Sequence, residues 1–208
     1  MRNMLTAVAM GLVFTTLIGC QTPSLNGLGP EGMTHVPEIN GVWVDQDEPG
    51  GAADATVSIM PHEDGYHIMR VLGASAQLRV ALYRIDDHIV GDLTLHALGG
   101  LSGSEDSDAD AQLISGFVIP VHHFAVFNIE NDKMFMSFID SDWLSGRIDA
   151  GHPGATTTSF GNDSDRTVLT ANSANLRTLI RKAIADGFDA FEEPNVFHRV
   201  ARLEDDHE

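Results

Sequence analysis

The sequence predicts a mainly β protein with two helices. Its strands form an antiparallel barrel, or a strongly curved sheet, of about nine strands capped by a C-terminal amphipathic helix. Three observations carry that expectation. From Gly41 onward, apolar residues recur at every second position in runs rich in β-branched and aromatic residues. Short polar turns such as EDG (63–65), Asp86-Asp87 and END (130–132) separate these runs, so sequential strands become antiparallel neighbours. No strand–helix–strand alternation appears, and closure of the sheet removes the edges that invite aggregation.

The elements follow in order. GVWV, beginning at Gly41, opens the first strand, and ATVSIM (55–60) and YHIMRVL (66–72) flank the EDG turn. In AQLRVALYRI (76–85), Leu78, Val80 and Leu82 take one face while Gln77, Arg79 and Tyr83 take the other. HIVGDLTLH (88–96) returns after Asp86-Asp87. GFVIPVHHFAVFNI (116–129) and KMFMSFI (133–139) form a further hairpin. SDWLSGRIDAG (141–151) reads as a short helix with Ser141 as cap and Gly151 as stop, docked by Trp143, Leu144 and Ile148. RTVLT (166–170) is a strand. SANLRTLIRKAIADG (173–187) then places Leu176, Leu179, Ile180, Ala183 and Ile184 on one helical stripe, with Ser173 to begin it and Gly187 to end it. NVFHRVARL (195–203) is the last strand, and residues 204–208 form a loose acidic tail.

Composition sets limits. The 208 residues carry a net charge of −18, which becomes −19 when Arg2 leaves with residues 1–19. Such a surface repels phosphate backbones and argues against nucleic-acid binding. Apolar content of 43% is enough for a packed core, so residues 41–203 are read as one β-rich domain. GGLSGSEDSDADAQ (99–112) lacks core-formers and reads as a mobile acidic loop.

The N-terminus reads as an address. One basic residue, Arg2, precedes an apolar run that is marginal as a membrane span, for which about 20 residues are needed, but suits a secretory signal. The run ends in Leu17-Ile18-Gly19-Cys20, containing the single cysteine of the chain. This tetrapeptide resembles the lipobox of bacterial lipoproteins. The resemblance implies a signal peptide over 1–19, removed before Cys20, and diacylglycerol and palmitate-type acyl chains on that residue. Such an anchor holds the protein on the membrane, since each buried methylene contributes about 0.8 kcal/mol. Gln21 is not the aspartate that would resemble an inner-membrane retention signal, which favours the outer membrane. Residues 20–40, with their prolines and glycines, read as a lipidated flexible tether with a reach of roughly 25 Å.

Two further resemblances bear on the body of the domain. Gly41-Val42-Trp43 resembles the G-x-W signature that opens the first strand of lipocalins, which implies a lipocalin-like barrel with Trp43 plugging the closed end. IPVHHF (119–124), DSDWL (140–144), LTANSANLRTLIRK (169–182) and EEPNVFHRV (192–200) together resemble a family of uncharacterised bacterial lipoproteins. That likeness implies export and lipidation and supplies no catalytic residue.

Motifs that imitate chemistry are set aside on spacing. HEDGYH (62–67) is one residue too long for a zincin helix and contains Asp64-Gly65. DSDAD (106–110) starts like a calcium loop but has Ala111 where glycine is required and Phe117 where the closing glutamate belongs. No metal or other cofactor is expected. His122 and His123 are strand neighbours, so they point to opposite faces and do not share one ligand. Arg177, Arg181 and Lys182 give the second helix a basic stripe. The sequence reading is therefore a lipid-anchored envelope module for a small apolar ligand or an envelope partner. Tyr66, His122 and Phe124 are the candidate pocket residues. The alternatives are a structural lipoprotein acting by protein contacts and an envelope hydrolase using His122.

Overall fold

A computed structural model describes residues 22–45, 55–62, 64–71, 76–98, 121–160 and 166–202. The expected signal peptide (1–19), Cys20, the expected acidic loop 99–112 and the expected tail 204–208 lie outside these residues. The strands are β1 (Gly41–Asp45), β2 (Ala55–Pro61), β3 (His67–Val71), β4 (Ala76–Ile85), β5 (His88–Leu98), β6 (His122–Glu130), β7 (Lys133–Phe138), β8 (Thr157–Phe160), β9 (Arg166–Leu169) and β10 (Asn195–Ala201). The helices are α1 (Ser141–Asp149) and α2 (Ser173–Asp186).

Eight strands close into an antiparallel barrel in the order β1-β10-β7-β6-β5-β4-β3-β2, with β2 returning to β1. Strands β1 to β7 form a simple meander, and β10 comes back to close the gap between β7 and β1. The β6–β7 turn consists of Asn131 and Asp132, both left-handed at φ 51° and 58°. Asn and Asp tolerate this region because their short side chains bond to nearby backbone. β8 and β9 form a separate hairpin outside the barrel. TTSF, the sequence of β8, is too short to show alternation, and the sequence reading missed it.

Period two sorts the wall residues. Trp43, Ile59, Val80, Leu82, Phe127 and Phe197 point inward and are almost wholly buried. Gly91 faces the same interior, where a Cβ would overlap the Phe127 ring. On β4, however, Ala81, Tyr83 and Ile85 on the outer face are buried as well. They join a second core with Leu28, Val90, Phe124, Leu144, Leu169 and the stripe Leu176, Leu179, Ile180 and Ala183 of α2. The β4–β6 wall is thus sandwiched between two apolar clusters, and α2 lies along the side of the barrel. Each large side chain so buried contributes roughly 1.5–3 kcal/mol.

The caps differ from the expected ones by one residue. Asp140, not Ser141, caps α1, its carboxylate accepting from the Trp143 N–H at 2.8 Å. Asn172, not Ser173, caps α2, accepting from the Asn175 N–H at 3.0 Å. Gly187 ends α2 at φ 70° as expected. Asp186, at the last turn of α2, accepts from Lys182 and from the Trp143 indole and so ties α1 to α2. The Lys182 hydrogen bond leads in holding its carboxyl below the usual range.

Residues 22–40 were expected to be a tether, and the structure corrects this. Ser24 bridges β6 and β9, with its N–H donating to the His122 carbonyl at 2.9 Å and its carbonyl accepting from the His122 N–H at 2.8 Å. Leu28, Val36 and Ile39 are buried. The prolines and glycines that exclude regular structure do not exclude docking: the isolated apolar residues between them anchor the chain on the outer wall. A short 3-10 turn, Pro37–Ile39, then covers the end of the barrel.

Trp43 sits at that end. Its indole N–H donates to the Ile39 carbonyl at 2.8 Å, and the Arg199 guanidinium lies 4.0 Å above its ring. Arg199 also donates to the carbonyls of Asn40 and Glu38, each at 2.6 Å. The β2–β3, β4–β5 and β6–β7 turns share this end. The connections β1–β2, β3–β4 and β5–β6 lie at the other, mostly outside the described residues.

Candidate functional site

A cleft of about 240 Å³ opens on the outside of the barrel, where β4, β5 and β6 meet the N-terminal strap and the start of α2. Strand register assembles its floor. Arg79 pairs across β4–β5 with Thr94, Ala81 with Asp92, and Thr94 across β5–β6 with His122. All of these residues therefore share the outer face. Tyr66, just before β3, closes one side, and Asn26–Pro30 and Ser173 close the other.

At the centre is a carboxylate–imidazole pair. The Nδ1 of His122 lies 2.6 Å from Oδ1 of Asp92, which is 4% exposed. The second oxygen, Oδ2, accepts from the Leu28 N–H at 2.8 Å. With Asp92 ionised, the shared proton belongs on Nδ1, so the neutral ring keeps Nε2 as its acceptor. No partner binds Nε2 among the described residues. Gly27 makes the close approach possible, because a Cβ there would strike both the Asp92 carboxylate and the His122 ring.

The strap is pinned around this pair. The Tyr83 hydroxyl donates to the Gly29 carbonyl at 2.7 Å, and Ser173 donates to the Gly27 carbonyl at 2.7 Å. Burial, reinforced by the Asp92 charge, pushes the Tyr83 phenol well above its usual range, which keeps it a neutral donor. Arg177 of α2 donates to the Leu28 carbonyl through Nε at 3.0 Å and Nη2 at 2.8 Å, and to the Glu31 carbonyl. The basic stripe read from the sequence is thereby divided: Arg177 holds the strap, Lys182 pairs with Asp186, and Arg181 stays exposed. The guanidinium carbon of Arg79 lies over the Tyr66 ring, 3.3 Å from its centroid.

Two of the three residues chosen from the sequence, Tyr66 and His122, line this cleft. Phe124 shares the His122 face but does not line it. It is 7% exposed and packs in the outer core, in contact with the surroundings of Ile139, Leu144 and Leu169. Sequence reasoning passed over Arg79, Asp92 and Ser173. The signal for Asp92 was present: a carboxylate on the same face as Val90, inside a run whose other residues suit a wall. His67, the last residue of the zincin-like run, is buried and stacks on His35 with ring centroids 5.6 Å apart. His62, at its other end, lies 6.0 Å edge-on from His96.

His123 occupies the opposite face of β6, and its Nδ1 is buried without a hydrogen-bond partner among the described residues. Burial, seconded by the neighbouring His122, lowers its affinity for a proton below the usual value of 6.5, against a smaller opposing pull from Asp92. The unfolded chain therefore binds a proton at His123 more readily than the folded one. Stability should fall as pH drops through about 6.5. Urea melts at a series of pH values check this: His123→Gln should flatten the acid limb relative to the unsubstituted protein.

No family model matches the chain, and neither a curated protein nor a solved structure matches it. Among the described residues, no helix is long and apolar enough to cross a membrane, and no three His, Cys, Asp or Glu side chains could hold a metal ion together. What the molecule itself defines is a closed antiparallel barrel with a polar cleft on its flank.

Proposed function

We propose that this chain is a lipid-anchored binding module of the bacterial cell envelope, fixed through Cys20 to the outer membrane, and that its ligand sits in the flank cleft. The observation that carries the reading is the meeting of Tyr66, Arg79 and His122 around one cavity, with hydrogen-bonding capacity that the protein's own groups leave unused. The inward-facing side chains form a packed apolar cluster, whereas the cleft is polar. That chemistry favours a small polar ligand over the apolar one expected from the sequence.

The test is a fragment screen on the full chain in detergent, read by amide chemical shifts. Binders should perturb Tyr66, Thr94, His122 and Ser173 as a set. A screen whose binders all map elsewhere overturns the assignment of the cleft. Mass spectrometry of the protein from membranes should find Cys20 acylated, and an intact Met1 would remove the anchor from the proposal.

One observation favours a hydrolytic use of the same cleft: Asp92 orients His122 as a general base would be oriented. Ser173, one of the hydroxyls of the lining, is spent on the Gly27 carbonyl. A reaction would thus run through water activated at Nε2. Turnover of chromogenic esters that disappears in His122→Gln would establish it. The structural-lipoprotein reading has lost its one hint, since two of the three basic residues of α2 are engaged within the chain.

A further inference from the structure

We propose that the flank cleft is an oxyanion site, in which the Arg79 guanidinium binds a small carboxylate or phosphate beside the His122 imidazole. The inference rests on the binding reading above and names the chemistry of its ligand. The first argument is an unpaired cation. Acidic residues outnumber Lys and Arg by 30 to 12 in this chain, so a shielded arginine should easily find a carboxylate. The comparably shielded arginines do find partners: Arg147 faces Asp186, Arg199 binds Asp132, and Arg177 binds the strap carbonyls. Arg79 has the Tyr66 ring beneath it and no carboxylate within ion-pair distance among the described residues.

The second argument is geometric. Stacking occupies the face of a guanidinium and leaves its edge, with a planar fork of N–H donors that matches carboxylate and phosphate oxygens. Tyr66 holds that guanidinium in the wall of the cleft. The acid already present does not compete for it, because both Asp92 oxygens are bound, one by His122 and one by the Leu28 N–H. Ser173 adds the first turn of the 14-residue helix α2 to the lining, so the positive end of its dipole lies on the same side. A volume of about 240 Å³ suits a small anion or a ligand headgroup.

The experiment titrates the full chain in detergent with sodium phosphate and, separately, with sodium acetate, following backbone amide shifts. One of the two should give saturable shifts at Thr94, His122 and Ser173, and which one does so separates a phosphate from a carboxylate ligand. Arg79→Gln should weaken that binding roughly tenfold or more. Arg79→Lys, which keeps the charge and loses the fork, should fall between. Arg84→Gln, at the exposed end of the same strand, should leave binding unchanged. Shifts scattered over the surface arginines, or equal weakening by Arg79→Gln and Arg84→Gln, overturn the proposal, and the unsubstituted protein alone supplies the first of these readings. If neutral fragments occupy the cleft and neither anion does, the oxyanion assignment fails while the binding module stands. If nothing occupies it, both fail.

Discussion

Trp43→Ala should lower the free energy of unfolding by about 3–5 kcal/mol. The side chain is fully buried, and three interactions converge on it: apolar packing among the inward-facing residues, the hydrogen bond to Ile39 and the overlying Arg199. Truncation opens a void at the end of the barrel and deprives Arg199 of its platform. The same arginine holds the carbonyls of Glu38 and Asn40, so the turn that covers this end loosens as well. Trp43→Phe keeps an aromatic ring and loses the N–H, and should cost about 1 kcal/mol for the hydrogen bond alone before any packing loss. Urea denaturation followed by fluorescence of Trp143, the one other tryptophan, measures both. A loss below about 1 kcal/mol for the alanine variant would mean that the barrel end is held by something else.

His122→Ala should be nearly as damaging, at about 3–5 kcal/mol, for an electrostatic reason. It leaves the Asp92 carboxylate buried with only the Leu28 N–H to stabilise it. The double variant Asp92→Asn/His122→Ala removes the stranded charge, and so should be more stable than His122→Ala alone. A double-mutant cycle reads the coupling directly. A contact of 2.6 Å within a buried network should give an interaction energy near the upper end of the usual range, roughly 2–3 kcal/mol. Strict additivity within about 0.5 kcal/mol would show that the pair is an accident of packing.

The barrel was legible because its signal is local. Alternation in AQLRVALYRI and HIVGDLTLH, and polar turns at Asp86-Asp87 and Asn131-Asp132, determine strand, face and neighbour together. The α2 stripe was legible for the same reason. The cleft was less so, because its members are separated by up to 147 positions, from Asn26 to Ser173, and meet only through register and docking. Tyr66 and His122 stood out as polar aromatic residues in strands. Arg79 looked like any outward-facing charge until the Tyr66 ring was found beneath it. Alternation gives Phe124 its face but not what covers that face, and α1 and β9 bury it. The strap was misread because composition reports the absence of regular hydrogen bonding, and Leu28 and Ile39 needed none to dock.

The docked strap changes what an acyl group on Cys20 would do. Only Gln21, Thr22 and Pro23 separate that residue from Ser24, which is already bonded to the start of β6. Four peptide steps span at most about 14 Å when fully extended. A protein moored in that way could not swing far from the bilayer. It would ride against the bilayer with the Ser24 end of the barrel turned toward the headgroups, and a soluble visitor would meet the Trp43 end first.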